Sequence, residues 1–281
     1  MNHRTQMDWI LLWNLLARFG NVRRCKIILK DSLKKLPGIG WAAQQNLYLF
    51  VSRSWEKDKE HFHSVLNYFV ETNKPVQMLI FPEGTDFCKG TKQSSDKFAK
   101  KNNLPIYDYV LHPRTRGFSE LVKVMRHGNV KSLLDVTVGY PVNIPWGFRS
   151  VILGNYPEQV HFNIKKYSID ELPEDTEELQ QWCQDRWAEK EETLRQFYDK
   201  KHFNQPQILF AVPEKQMWRK MSLCLILWAA FVLLAFFLFY MSSFWCWYCL
   251  AGCLIYLILT VTGGAERVLL SANKRLNCSS R

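Results

Sequence analysis

Strongly apolar runs alternate with amphipathic segments over the first two thirds of the chain. Leu47–Val51 and Val76–Phe81 are rich in large apolar residues, as is typical of strands buried on both faces of a parallel sheet. Trp55–Asn73, between them, has the periodicity of an amphipathic helix. This strand–helix–strand order predicts an α/β fold, with a mainly parallel central sheet flanked by helices. The same reasoning predicts helices at Trp9–Phe19, Phe118–Arg126 and 174–200, and strands at Cys25–Lys30, Tyr107–Leu111, Leu133–Tyr140 and Gln159–Tyr167.

The apolar segment near the C-terminus predicts a membrane anchor. No charged residue occurs from Met221 to Ala265, a stretch more than twice the roughly 20 residues with which one helix crosses a bilayer. We therefore expect a two-helix transmembrane hairpin over 217–265, with its turn at the aromatic residues near Phe244–Trp247. Both outer ends are basic and the turn is uncharged, so the positive-inside rule predicts that the preceding domain and the C-terminus lie in the cytosol. The basic residues are Lys215, Arg219 and Lys220 before the uncharged stretch and Arg267, Lys274 and Arg275 after it.

These patterns divide the chain into four parts. A core is expected over 1–145, followed by an extension over 146–216 that contains the long charged helix. The hairpin over 217–265 then leads to a cytosolic tail over 266–281.

The charge balance favours an anionic partner. Lysine and arginine outnumber the acidic residues 37 to 26, which gives a net charge of +11. This suits a phospholipid surface or a phosphate-bearing ligand. Nucleic acid is not expected, because the sequence has no zinc-finger spacing, RNP-like aromatic motif or helix-turn-helix pattern. Cys246 and Cys249 have metal-ligand spacing but no second pair, so membrane cysteines are favoured over a zinc site.

An imidazole and a carboxylate lie close together at the start of the chain, as His3 and Asp8. A neutral imidazole is the usual base for taking a proton from an alcohol, and a carboxylate can orient it. On a straight helix five residues turn through about 500°, so the two side chains would diverge. We therefore expect His3 in a loop and Asp8 in the first turn of the following helix. The alternative is that Asp8 is only a helix cap and His3 only a terminal residue.

Other polar residues follow the predicted strands. Arg53 comes after one apolar strand and Glu83 after the next. Ligands of open parallel sheets bind beyond the carboxyl ends of the strands, which is where both residues are expected. Arg114 and Arg116 follow the predicted strand at Tyr107–Leu111, and guanidinium groups match the geometry of phosphate oxygens. A phosphate-binding site is therefore expected at this edge of the sheet.

Four sequence blocks, in this order, resemble the motifs of the glycerolipid acyltransferase family. They are Asn2-His3-x4-Asp8, Arg53 after an apolar strand, Phe81-Pro82-Glu83-Gly84-Thr85, and His112-Pro113-Arg114-Thr115-Arg116-Gly117. The later stretch from Leu179 to Glu191 is similar to the C-terminal region of the branch that includes lysocardiolipin and lysophosphatidate acyltransferases.

The resemblance implies a reaction and a set of roles. Acyl-coenzyme A would be the donor substrate, and a lysophospholipid of the lysocardiolipin, lysophosphatidate or lysophosphatidylinositol type would be the acceptor. Neither a metal nor a bound cofactor is implied, and the expected location is the endoplasmic reticulum membrane. The implied roles are His3 as base, Asp8 as its orienting carboxylate, Arg53 as ligand of the acceptor phosphate, Glu83, Gly84 and Thr85 as the acceptor pocket, and Pro113, Arg114 and Arg116 as the strand-end site near the acyl donor.

Several alternatives stay open. The chain could be a catalytically impaired membrane homologue that binds lipid or a partner. It could be a hydrolase, although no serine nucleophile motif or metal-ligand cluster supports this. The lysine-rich stretch at 89–101 is more typical of a solvated face than of a basic rim for lipid head groups or coenzyme A phosphates. Members of the family carry a strand ahead of the Asn-His motif, so residues 1–3 are expected to fray if nothing holds them.

Overall fold

A parallel sheet forms the centre of the structure, a computed structural model that describes residues 1–18, 22–145, 147–204 and 214–279. Strand β1 (Cys25–Lys30) lies between β2 (Leu49–Val51) and β3 (Gln77–Leu79) and pairs with both in parallel. The predicted parallel sheet flanked by helices is therefore confirmed. The helices of the described residues are α1 (Asp8–Arg18), α2 (Ile39–Gln45), α3 (Trp55–Glu71), α4 (Lys89–Lys101), α5 (Thr115–Arg126), α6 (Phe148–Ile152), α7 (Thr176–Lys200), α8 (Glu214–Met241), α9 (Ser243–Val261) and α10 (Ala265–Ser279).

Two further strands form a separate antiparallel pair. β4 (Ser132–Gly139) and β5 (His161–Ser168) pair along their whole length, from Ser132 opposite Ser168 to Gly139 opposite His161. Both lie within two residues of the predicted bounds. Helix α7 packs on β4 and on α5, so the charged extension is part of the folded core rather than an appendage.

The first two residues lie between the two sheets. The Met1 amine donates to the Ile80 carbonyl, just after β3, at 3.2 Å. The Asn2 side chain pairs with the backbone of Val138 in β4, donating from Nδ2 to O and accepting from N–H at 3.2 and 2.8 Å. Both residues are buried. The expectation that this segment frays is wrong, because its polar groups are satisfied and Met1 packs in the core beside Leu12.

The prediction of a strand at Tyr107–Leu111 is also wrong. The backbone N–H groups of residues 108, 109 and 110 donate to the Glu191 carboxylate of α7, and that of Leu111 donates to Glu83. Side chains therefore satisfy the donors that a neighbouring strand would otherwise satisfy. The apolar side chains of Tyr107 and Val110 still enter the core.

The two long apolar helices are joined at Ser242, slightly before the predicted turn. By length and composition, α8 and α9 are each able to cross a membrane, and together they could form the expected hairpin. The Ser242 side chain accepts from the Trp245 N–H and so begins α9. The predicted tail is a helix, α10, which packs on α2 and α3 and places Leu270 in the apolar core formed by β2 and α3. Phe19, the last residue of the first predicted helix, lies outside the described residues, as do residues 280–281.

Candidate active site

His3 and Asp8 meet where a loop enters α1. Asp8 is the first residue of that helix and His3 lies in the loop before it. His3 Nδ1 is 2.9 Å from Asp8 Oδ2. The bend expected between the two residues is therefore confirmed. With Nδ1 directed at the carboxylate, the lone pair of a neutral imidazole is on Nε2, at the other side of the ring.

The Asp8 carboxylate is fully buried and held by two further donors. The Thr5 backbone N–H donates to Oδ2 at 2.9 Å, and the Tyr140 hydroxyl donates to Oδ1. Burial and the nearby Asp8 charge raise the pKa of Tyr140, so this hydroxyl keeps its proton and stays a donor. A carboxylate fixed in this way can orient an imidazole and stabilise its protonated form.

The turn Phe81–Gly84 contacts both the ring face and the backbone of His3. The imidazole stacks on the Phe81 ring, with centroids 4.1 Å apart. The His3 backbone N–H donates to Glu83 Oε1 at 3.1 Å, and its carbonyl accepts from the Phe87 N–H at 2.9 Å. Both the ring and the backbone of His3 are therefore positioned by residues that follow β3.

Glu83 joins three distant parts of the chain. Besides His3, its carboxylate accepts from the Leu111 N–H at 3.2 Å and from the Trp187 indole N–H of α7 at 3.3 Å. The side chain is almost completely buried, and this burial raises the pKa of Glu83 to about 7. Although Glu83 borders the cleft described next, all of these bonds run to protein groups, so it also fixes the site internally.

A cleft of about 590 Å³ lies beside the turn Phe81–Gly84 and is lined by the three predicted arginines. We call it the arginine cleft. Arg53 and Arg114 both line it, and burial and the neighbouring Arg114 charge lower the pKa of Arg53. Arg116 lies over the Trp55 ring, 5.1 Å from its centroid, and 3.7 Å from Glu56. The lining residues are Arg53, Glu83, Thr85, Thr91, Ser94, Ser95, Phe98, Leu104, Leu111, His112, Pro113, Arg114, Thr115, Arg116 and Gln184.

The turn Phe81–Gly84 connects the cleft with the His3–Asp8 pair, which we call the dyad. Arg114 donates its backbone N–H to Pro82 O at 2.7 Å, and its side chain lies against Gly84. Gly84 has φ +72°, and a Cβ there would approach Arg114 Cδ to 3.3 Å. A glycine suits both the turn conformation and this close contact. One four-residue turn thus touches His3 and Arg114.

Sequence reasoning missed one wall of the cleft and one partner of the dyad. The stretch at 89–101 is helix α4, whose lysines are mostly exposed, as expected of a solvated face, while its other face lines the cleft. The spacing of Thr91, Ser94, Ser95 and Phe98 is that of one helix face and could have signalled this. Tyr140 gave no local signal, because it reaches Asp8 across 132 positions. Among the described residues, no group of three His, Cys, Asp or Glu side chains is arranged to hold a metal ion.

Two family models together match most of the chain up to residue 228. The model described as acyltransferase matches residues 1–143, which include the dyad and the arginine cleft. The model described as acyltransferase C-terminus matches residues 150–228. The chain belongs to the acyltransferase family.

Individual acyltransferases of known name are similar to most of this chain. Lysocardiolipin acyltransferase 1 of Gallus gallus is 44% identical over 280 residues, covering 98% of this chain and 74% of the relative. The Mus musculus protein of the same name is 41% identical over 283 residues, covering 99% and 75%. Lysophosphatidylinositol acyltransferase 10 of Caenorhabditis elegans is 41% identical over 202 residues, covering 70% and 52%. No solved structure matches the chain.

Proposed function

We propose that the chain transfers an acyl group from acyl-coenzyme A to a free hydroxyl of a lysophospholipid, with His3 as general base. The observation that carries this proposal is the His3–Asp8 contact of 2.9 Å, with Asp8 buried beneath it. The names of the relatives support the reaction class, since they include lysocardiolipin, lysophosphatidylinositol and 1-acyl-sn-glycerol-3-phosphate acyltransferases.

Each residue of the dyad has one step in this mechanism. His3 Nε2 takes the proton of the acceptor hydroxyl while its oxygen attacks the thioester carbonyl carbon. Asp8 stabilises the imidazolium that forms. The tetrahedral intermediate collapses by breaking the carbon–sulfur bond, and the imidazolium returns the proton to the departing coenzyme A thiolate. The products are the ester and free coenzyme A, so the base is regenerated without a metal or bound cofactor.

The arginine cleft is proposed to hold the acceptor phosphate. Guanidinium forks match phosphate oxygens, and Arg53 and Arg114 provide two of them near each other. Glu83, Gly84 and Thr85 would shape the same pocket, while Pro113 and Arg116 would face the acyl donor. Lysocardiolipin, lysophosphatidate and lysophosphatidylinositol all carry a phosphate on glycerol, and this shared group is what the cleft would bind.

The proposed location is the endoplasmic reticulum membrane, with the catalytic core and the C-terminus on the cytosolic side. Two apolar helices support membrane association, and the basic residues at both outer ends of the pair support the orientation. A membrane position suits the reaction, since the acceptor and the product are lipids.

Turnover of the full chain in phospholipid vesicles tests the reaction. The vesicles would receive radiolabelled acyl-coenzyme A with lysocardiolipin, lysophosphatidate or lysophosphatidylinositol in turn. We expect labelled re-acylated phospholipid and free coenzyme A in equal amounts with at least one acceptor. Labelled fatty acid released without an acceptor would indicate a hydrolase instead. Lipid binding without any turnover would indicate a catalytically impaired homologue.

A further inference from the structure

A mostly exposed apolar segment comprises the turn before α2 and the first three residues of that helix; it is called the loop below. Leu36-Pro37-Gly38-Ile39-Gly40-Trp41 contains no charged or hydrogen-bonding side chain except the Trp41 indole. Leu36 is 43% exposed and Ile39 is 68% exposed, and Leu33 just before them is also exposed. Single exposed apolar residues are ordinary on a protein surface, but a contiguous apolar patch marks a contact site.

The loop is in contact with one of the two apolar helices. The Trp41 ring stacks on the Tyr256 ring of α9, with centroids 5.2 Å apart and planes at 17°. Tyr256 lies five residues before Val261, the last residue of α9, which is about 7.5 Å along the helix axis. If α9 crosses a bilayer, Trp41 therefore lies beside the span itself rather than above its end.

Residues on either side of the loop bind the short segment that joins α9 to α10. Lys34 Nζ donates to the Gly263 carbonyl and pairs with the buried Glu266 carboxylate at the start of α10. Gln44, in α2, accepts from the Ala265 N–H at 2.8 Å and donates to the Lys34 carbonyl at 3.0 Å. The depth of the loop relative to α9 is therefore fixed by the fold.

We propose that Leu33, Leu36, Ile39 and Trp41 form a second membrane contact, inserted into the lipid surface beside α9. The proposal rests on α9 lying in the bilayer, as the proposed function requires. Apolar side chains of a surface-bound segment enter the boundary of head groups and acyl chains to a depth of about 5–10 Å. The exposed Lys35 at the edge of the patch suits the lipid phosphates there.

This contact would fix the tilt of the catalytic core. A helix pair alone can tilt in the bilayer, and a domain fixed to it would tilt with it. The loop adds a second place of attachment beside the helix pair. The orientation of the arginine cleft towards the membrane, from which a lysophospholipid must be taken, would then be constant.

Photocrosslinking of the full chain in phosphatidylcholine vesicles tests this proposal. The photoreactive residue p-benzoylphenylalanine would replace Ile39 in one variant. A second variant carries it at Leu257 in α9, as the bilayer reference. A third carries it at Ile164 in β5, an exposed apolar residue followed by two lysines, as the matched control away from the patch.

We expect lipid adducts at position 39 in a yield close to that at 257 and at least about tenfold above that at 164. A yield at 39 no higher than at 164, while 257 is labelled, would overturn the proposal. Absence of adducts at 257 would also overturn it, since α9 would then lie outside the bilayer. Acyl transfer by the unmodified chain is measured separately, so failure of the membrane contact is distinguishable from failure of the proposed function.

Discussion

His3 is held by three other residues of the chain. Asp8 fixes one ring nitrogen, Phe81 covers one ring face, and Glu83 holds the backbone. Tyr140 in turn fixes Asp8. Supporting contacts of this kind keep a reacting group within a fraction of an ångström of its working position, which is what a base needs for efficient proton transfer.

Replacing Arg53 by alanine should weaken acceptor binding selectively. A hydrogen bond to a charged group contributes about 1.5–3 kcal/mol, so we expect the KM for lysophospholipid to rise about tenfold or more while that for acyl-coenzyme A changes little. Steady-state kinetics with each substrate varied in turn measure this. Lys97→Ala, which removes an exposed cation from α4, is the control and should leave both KM values unchanged. Equal increases for the two substrates would argue against acceptor binding at Arg53.

Glu83 should make the folded state less stable as the pH rises through the range from about 4.5 to 7. Burial raises the pKa of Glu83 from 4.5 to about 7, so in this range the folded chain holds a proton that the unfolded chain has lost. The stability contributed by this group is therefore complete below pH 4.5 and is lost by pH 7, at no more than about 1.4 kcal/mol per pH unit.

Urea unfolding of the detergent-solubilised chain at several pH values measures this effect. The free energy of unfolding of Glu83→Gln, which cannot ionise, should lack the decline, so the difference between wild type and variant isolates Glu83. Glu60→Gln, at an exposed position of α3, should keep the wild-type decline. Parallel curves for wild type and Glu83→Gln would contradict the assigned pKa.

At the scale of elements, side chains of α7 organise a segment that has no strand partner. Glu191 accepts from the N–H groups of residues 108 and 109 at 2.8 and 2.9 Å and of Val110 at 3.2 Å. The next residue, Leu111, donates its N–H to the Glu83 carboxylate. The dyad and the arginine cleft therefore depend on a helix that lies far away in the sequence.

Glu191→Ala should destabilise the fold strongly, because it leaves three backbone donors without their acceptor. The bonds of residues 108 and 109 are only partly buried, whereas that of Val110 is buried. An unsatisfied buried donor costs about 1–3 kcal/mol, so a loss of that size in unfolding free energy is expected. Thermal and urea unfolding in detergent measure the loss. Glu192→Ala, the exposed neighbour in α7, should change stability by less than about 0.5 kcal/mol. Similar stabilities of the two variants would refute the role assigned to Glu191.

The elements predicted correctly are those whose signal is local. The runs that form β1, β2 and β3 are apolar in themselves, and α3 shows its periodicity within its own residues. Tyr107–Leu111 has the same apolar character, but its backbone is satisfied by a carboxylate more than 80 positions away, which no local pattern reveals. The bend between His3 and Asp8 was predictable from helix geometry, whereas the Tyr140 contact depends on the packing of β4 beside the loop.

At the scale of the whole molecule, the chain returns to its own core after the two apolar helices. Leu270 of α10 packs in the core of β2 and α3, and Glu266 pairs with Lys34. Since α10 contacts the catalytic core, both must lie on the same side of any membrane that α8 and α9 cross. An even number of crossings between them follows.

Protease protection in sealed microsomes should reflect this topology. An epitope inserted at Ser242 is expected to be protected until detergent is added, because the proposed orientation places this turn in the lumen. An epitope after residue 281 should be digested at once. Asn277-Cys278-Ser279 matches a glycosylation sequon and should carry no glycan on the cytosolic side. A glycan on Asn277 would contradict both the hairpin and the packing of α10 on the core.

The most direct test of the proposed catalysis is the turnover of His3→Ala in vesicles, with acyl-coenzyme A and a lysophospholipid that wild type accepts. Loss of a general base typically lowers the rate by about 10²–10⁴, and we expect a loss in that range with unchanged lipid binding. His127→Ala, which removes an exposed histidine at the end of α5, should keep the wild-type rate. Turnover by His3→Ala within about tenfold of wild type would contradict the assignment of His3 as the base.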